Sequence, residues 1–178
     1  MAILKYLNLK KSLQRVHFTG LRGVLTILLV GIFLIPRSFA EIINASEAKA
    51  FSSFIESLIL TTQTSKQGRV CFFGSDEISK ILINNFPNPI NLDRDPSKYE
   101  SCKITYIALD KEKGFRQEIN KFNQSKILTI AIFDGFTEKG GTIKVQMGRR
   151  DFELTINSEF VKASGVKLGA FESNLSIN

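Results

Sequence analysis

The apolar positions after Ser46 fall at Ala48, Phe51, Phe54, Ile55, Leu58 and Ile59, the spacing of a helix with one apolar face. Asn44 or Ser46 is suited to cap its start. The polar stretch TTQTSKQG reads as a loop ending in Gly68, and RVCFFG then reads as a short buried strand. Ser75 or Asp76 can cap a second helix running to about Asn85, which Pro87 and Pro89 end because neither can continue it. INLDRDPSKYES has little periodicity beyond an edge strand at Ile90 to Leu92.

CKITYIAL, from Cys102, is β-branched and aromatic, and DKEKGFRQEINKF follows with helical spacing at Phe115, Ile119 and Phe122. KILTIAIF is a further strand without polar alternation, as expected where both faces are covered. Strands alternating with helices in this way imply right-handed βαβ units. The expected fold is therefore α/β, a three-layer sandwich around a mainly parallel, Rossmann-like sheet. GTIKVQM and RDFELTIN flank Gly148-Arg149-Arg150 as a C-terminal β-hairpin, and Ser158 to Ala163 forms a terminal helix stopped by Gly165.

The first forty residues stand apart from this pattern. Lys5, Lys10, Lys11, Arg15 and Arg22 form a basic leader, GVLTILLVGIFLI an apolar core, and Ser38-Phe39-Ala40 a small-residue cleavage site. The core would make a helix of about 20 Å, short of a hydrocarbon layer of about 30 Å. Residues 1–40 are read as a cleavable signal peptide for export, with a retained anchor as the alternative. Residues 41–178 are read as a single domain.

This division changes the meaning of the charge. The whole chain carries +7, yet residues 1–40 hold six of its 24 basic residues and none of its 17 acidic ones, leaving 18 against 17. The near-neutral remainder disfavours nucleic acid as a partner. The only histidine, His17, lies in the leader, so the mature chain has no imidazole for triads, Cys-His pairs or metal sites. No phosphate-binding glycine motif occurs, and no cofactor or metal site is expected. The scattered acids form no paired catalytic motif, so no catalytic residue is assigned and an enzyme is not expected.

Cys71 and Cys102 are the only cysteines, both in the exported part. A disulfide and two buried thiols are both compatible with their places near strand starts, and an oxidising compartment favours the disulfide. Beyond the carboxyl ends of the strands, Gly74-Ser75-Asp76, Asp110 and Asp134-Gly135 should converge, making Gly74, Asp76 and Asp134 the candidate residues of a small-molecule site. Glycine turns and aspartate caps explain the same residues without a ligand.

The ordered fragments Lys49-Ala50-Phe51, Cys71-Phe72-Phe73-Gly74, Cys102, Leu128-Thr129, Asp134, Phe136, Gly140-Gly141-Thr142-Ile143, Ile156-Asn157 and Gly165 are similar to a pattern in the YfiR family of periplasmic proteins. The resemblance covers most of residues 47 to 170. Leu154-Thr155-Ile156-Asn157 lacks the glutamate of the family's Phe-Glu-Ile-Asn, and LGAFESNL replaces its serine-rich tail. The resemblance implies a non-enzymatic regulator that represses the periplasmic part of an inner-membrane signalling protein, such as a diguanylate cyclase, until an outer-membrane lipoprotein sequesters it. Phe136, Phe152, Glu153 and Glu159, at the hairpin and its approach, are the candidate partner contacts; the rival expectation is a periplasmic small-molecule sensor or carrier. Pairing into a homodimer is left open by the sequence.

Protein recovered from the cell envelope should begin at Glu41 and be about 4 kDa lighter than the precursor. Intact-mass measurement and N-terminal sequencing check this. Full-length chain in the membrane fraction would identify residues 1–40 as an anchor.

Overall fold

A computed structural model describes residues 43–62 and 69–169; the expected signal peptide lies outside these. Helix α1 (Ala45–Thr61) begins at Asn44, whose side chain accepts from the Glu47 amide while Glu47 reaches back to the Asn44 amide. Strand β1 (Arg69–Phe73), helix α2 (Glu77–Asn85) and a two-residue strand β2 (Ile90–Asn91) follow. A 3-10 turn at Pro96–Ser101 leads into β3 (Cys102–Ile107), and another at Leu109–Lys111 precedes α3 (Phe115–Gln124). The chain continues through β4 (Leu128–Ala131), β5 (Ile143–Met147), β6 (Phe152–Ile156) and α4 (Ser158–Ser164).

The six strands form one sheet in the order β2-β1-β3-β4-β5-β6, parallel throughout except for the antiparallel β5–β6 pair. The α/β sandwich and the C-terminal hairpin with its helix are thus as the periodicity predicts. The third helix starts later than the pattern suggests, because Leu109–Lys111 closes a separate 3-10 turn before Gly114. Among the described residues, no helix is long and apolar enough to cross a membrane.

Two apolar clusters lie on the two faces of the sheet. One joins Ile55, Leu58 and Ile59 of α1 and Ile78 and Leu82 of α2 to Phe72, Ile104, Tyr106, Ile130, Ile143 and Val145. The other packs Phe115, Ile119 and Phe122 of α3 on Cys71, Cys102, Ile107 and Ala131. All four β4 residues are buried, which explains the unbroken apolar character of its sequence. Removing the Phe122 or Leu58 ring or chain from such a core costs several kcal/mol, about 2–5 for truncation to alanine.

Cys71 and Cys102 are disulfide-bonded, with Cα atoms 5.8 Å apart. Their sharing a face depends on an irregularity in β3. Arg69 lies opposite Cys102 but Val70 lies opposite Ile104, leaving Lys103 as an extra, exposed residue. In a regular strand Cys102 would point with Ile104 and Tyr106 into the first cluster. The extra residue turns it to the Cys71 face, in the second cluster.

Replacing both cysteines by serine should lower stability by about 2–5 kcal/mol, because the unfolded chain regains the freedom of a loop of 31 residues. Denaturant titration of the double variant measures this. Alkylation of the unfolded, unreduced protein should label neither cysteine and, after reduction, both.

Candidate functional site

At the carboxyl ends of β1 and β3 the aspartates hold loops together. Asp76 caps α2 through Oδ1, which accepts from the Ser79 amide at 2.7 Å. Its Oδ2 accepts from the Tyr106 hydroxyl at 3.0 Å and from the Leu109 amide at 2.9 Å. One carboxylate thus ties the start of α2 to the end of β3. Burial pushes the Tyr106 hydroxyl far above the usual tyrosine range, and the adjacent Asp76 carboxylate adds to this, so the phenol stays protonated and donates.

Asp110 Oδ1 accepts from the Ser75 amide at 2.9 Å, and Asp93 Oδ2 accepts from the Gly74 amide at 2.7 Å. The other Asp93 oxygen pairs with Lys111 at 2.5 Å, while that ammonium lies 4.6 Å from the Phe73 ring centroid. Gly74 has φ +96°, and a Cβ there would collide with Asp110, Lys111 and Ala108. Glycine is required by both conformation and crowding.

Gly74, Asp76 and Asp110 therefore meet as expected, but Asp134 does not join them. Its carboxylate is bound by Lys144 of β5 at 2.5 Å and its carbonyl by Lys139 at 3.4 Å, on the side of β4 away from β1. The physical reason is the sheet order: β4 lies between β3 and β5, and the chain leaving it turns toward the hairpin. The expectation that Asp134 shares a site with Gly74 and Asp76 is corrected accordingly.

The rest of DGFTEKGGTI is occupied with packing. Phe136 is fully buried, 4.7 Å from the Phe115 ring and 5.1 Å from that of Phe133. A Cβ on Gly141 would strike the Phe136 ring, and the Gly141 amide donates to the Phe136 carbonyl at 2.9 Å. Thr142 donates its amide to the Thr129 hydroxyl at 3.0 Å, and Thr129 donates its amide to the Thr142 hydroxyl at 3.2 Å. The stretch closes the parallel sheet and launches the hairpin. Phe136 consequently cannot present its ring to a partner, which corrects its assignment as a contact residue.

Of the remaining contact candidates, Phe152 and Glu153 lie on the end strand β6 and Glu159 in the first turn of α4. Glu153 and Glu159 are exposed, and Glu153 accepts from the Gln146 side chain at 3.0 Å. Phe152 is half-buried, stacked on Phe54 at 4.6 Å and edge-on to Phe51 at 5.0 Å, so its ring braces β6 against α1. Sequence reasoning missed Asp93, Tyr106 and Lys111 as members of the loop network. The available signal for Tyr106 was a tyrosine within an apolar strand, whose hydroxyl needs an internal partner. Among the described residues no group of His, Cys, Asp and Glu side chains could hold a metal ion.

The domain is a doubly wound α/β sandwich whose loop acids are committed to its own backbone and whose sheet ends in a hairpin edge. The YfiR/HmsC-like family model matches residues 44–171, and the chain belongs to this family. No curated protein matches the chain.

Asp76→Ala should lower stability by about 1–3 kcal/mol, since it uncaps α2 and strands the buried Tyr106 hydroxyl. Asp134→Ala removes a carboxylate that is 96% exposed and should leave the denaturation midpoint unchanged. Parallel urea titrations compare the two.

Proposed function

We propose that the protein is a periplasmic, non-enzymatic regulator that binds and represses the periplasmic part of an inner-membrane signalling protein such as a diguanylate cyclase. Membership of the YfiR/HmsC-like family carries this reading. The commitment of Asp76, Asp93 and Asp110 to backbone amides supports it, because these carboxylates serve the fold and are not presented for chemistry. An outer-membrane lipoprotein is the proposed antagonist, and Cys71–Cys102 a structural bond of the exported domain.

The proposed partner surface is the exposed face of β6 with the first turn of α4, carrying Glu153 and Glu159 as its exposed charges, and Phe152 braces β6 from the opposite face. β6 is an end strand, so one side of its backbone has no neighbouring strand within this sheet. The rival reading, a sensor or carrier using Gly74, Asp76 and Asp134, has less support. Its first two residues spend their polar groups internally, and the third lies elsewhere.

Crosslinking in intact envelopes, followed by purification of the protein, should recover a membrane protein with cyclase activity. Adding the regulator should lower that activity. Glu153→Lys with Glu159→Lys should weaken capture by about tenfold or more, the scale of charge reversal at a polar rim, while leaving the fold intact. Undiminished cyclase activity with the regulator present in excess would refute repression.

A further inference from the structure

The two ends of the β5–β6 ladder fix which way each backbone group of β6 points. Gly148 donates its amide to the Asp151 carbonyl and Asn157 donates its amide to the Thr142 carbonyl, both at 2.8 Å. Lys144 lies opposite Thr155 and Gln146 opposite Glu153, and bonded pairs of an antiparallel ladder recur at every second residue, so Glu153 and Thr155 turn their backbone toward β5. Phe152, Leu154 and Ile156 turn theirs to the other side. β6 is the end strand, and among the described residues nothing hydrogen-bonds these outward amides and carbonyls. The side chains of the same three residues are only half-buried against the first cluster.

The strand is complementary to its own copy in one register. A two-fold pairing of β6 with β6 sets one residue opposite itself, and the charges decide which. Centred on Glu153, the pair would set two glutamates face to face. Centred on Phe152, it would set Asp151 opposite Glu153; centred on Thr155, Asp151 opposite Glu159; centred on Ile156, Glu153 opposite Glu159. Like charges directly opposite destabilise a sheet. Centred on Leu154, the pair sets Glu153 opposite Thr155 and Phe152 opposite Ile156, and every outward amide meets an outward carbonyl. Continued past the strand ends, the same count brings Arg149 and Arg150 at the hairpin tip alongside Glu159 and Ser158 of the other copy. Arg149, Arg150 and Glu159 are exposed, and within the chain none of them forms an ion pair among the described residues.

The geometry points to a two-fold dimer in which β6 pairs antiparallel with β6 of a second copy, centred on Leu154, joining the two sheets into one. Phe152, Leu154 and Ile156 of both copies then form a single apolar row on the face that carries α1. This assembly does not depend on the regulatory reading, since it uses the backbone edge of β6 and leaves the face bearing Glu153 turned to solvent.

Sedimentation equilibrium of disulfide-bonded protein recovered from the envelope, from micromolar to submillimolar concentration, should show a monomer and a dimer in exchange. Thr155→Glu faces Glu153 of the other copy twice in each dimer and should raise the dissociation constant by about tenfold, whereas Thr155→Lys in the same place should lower it by about threefold. Arg149→Glu should weaken the dimer, and adding Glu159→Arg should restore it, because the pair is then exchanged and not lost. Thr155, Arg149 and Glu159 are exposed, so the variants keep the fold, which thermal unfolding checks. A wild type that stays monomeric throughout, a dimer indifferent to both Thr155 variants, or a charge exchange that fails to restore association would overturn the proposal. Loss of capture of a membrane protein by Thr155→Glu in a chain that never dimerises would assign the edge to that protein and overturn it equally.

Discussion

Strands β1, β3 and β4 are covered on both faces, so their polar groups must find partners inside the protein. This constraint governs much of what surrounds them. It accounts for the near-continuous apolar runs of the strands, and it explains how the polar residues there are used. Thr129 and Thr142 satisfy each other across β4 and the start of β5, amide to hydroxyl in both directions. Tyr106, buried in the same way from β3, is admitted because Asp76 stands at the strand end to accept its hydrogen bond. Thr105, in register with Cys71 on one side and Thr129 on the other, has no partner for its hydroxyl; a neighbouring disulfide sulfur offers it only weak acceptance.

The same constraint reaches the loops. At the carboxyl ends of the strands, where doubly wound folds commonly place ligands, backbone amides of Gly74, Ser75, Ser79 and Leu109 turn inward. Asp76, Asp93 and Asp110 answer them. An open cavity lies beside this network, between the irregular segment after β2 and α3. Tyr99 belongs to that segment, and its unpaired hydroxyl sits where the chain provides no answering group.

The hairpin shows a different balance. β5 still buries Ile143 and Val145, but β6 alternates half-buried and exposed positions, with Phe152, Leu154 and Ile156 turned toward the first cluster. The sheet thus passes from a sealed parallel core to a partly wetted antiparallel end. Glu153 and Thr155 face outward there, where charge discourages indiscriminate edge pairing.

Local chemistry was enough to determine the elements. Helical spacing at Phe51, Ile55 and Leu58, the paired prolines after Phe86, the β-branched runs at Cys102 and Leu128, and the capping residues Asn44 and Asp76 act within a few residues of one another, so they can be read without knowing the fold. The residues of the family pattern were legible for the same reason. Tertiary structure alone decided which groups separated in sequence meet. It placed an extra residue at Lys103 that brings Cys102 to the face of Cys71, and it sent Asp134 to Lys144 and away from Asp76. It also buried Phe136 beneath Gly141 and assembled Tyr99, Glu100 and Glu118 around one cavity. Register, strand order and burial arise from long-range packing of whole layers, and no short window of sequence contains the partner against which each side chain is finally set.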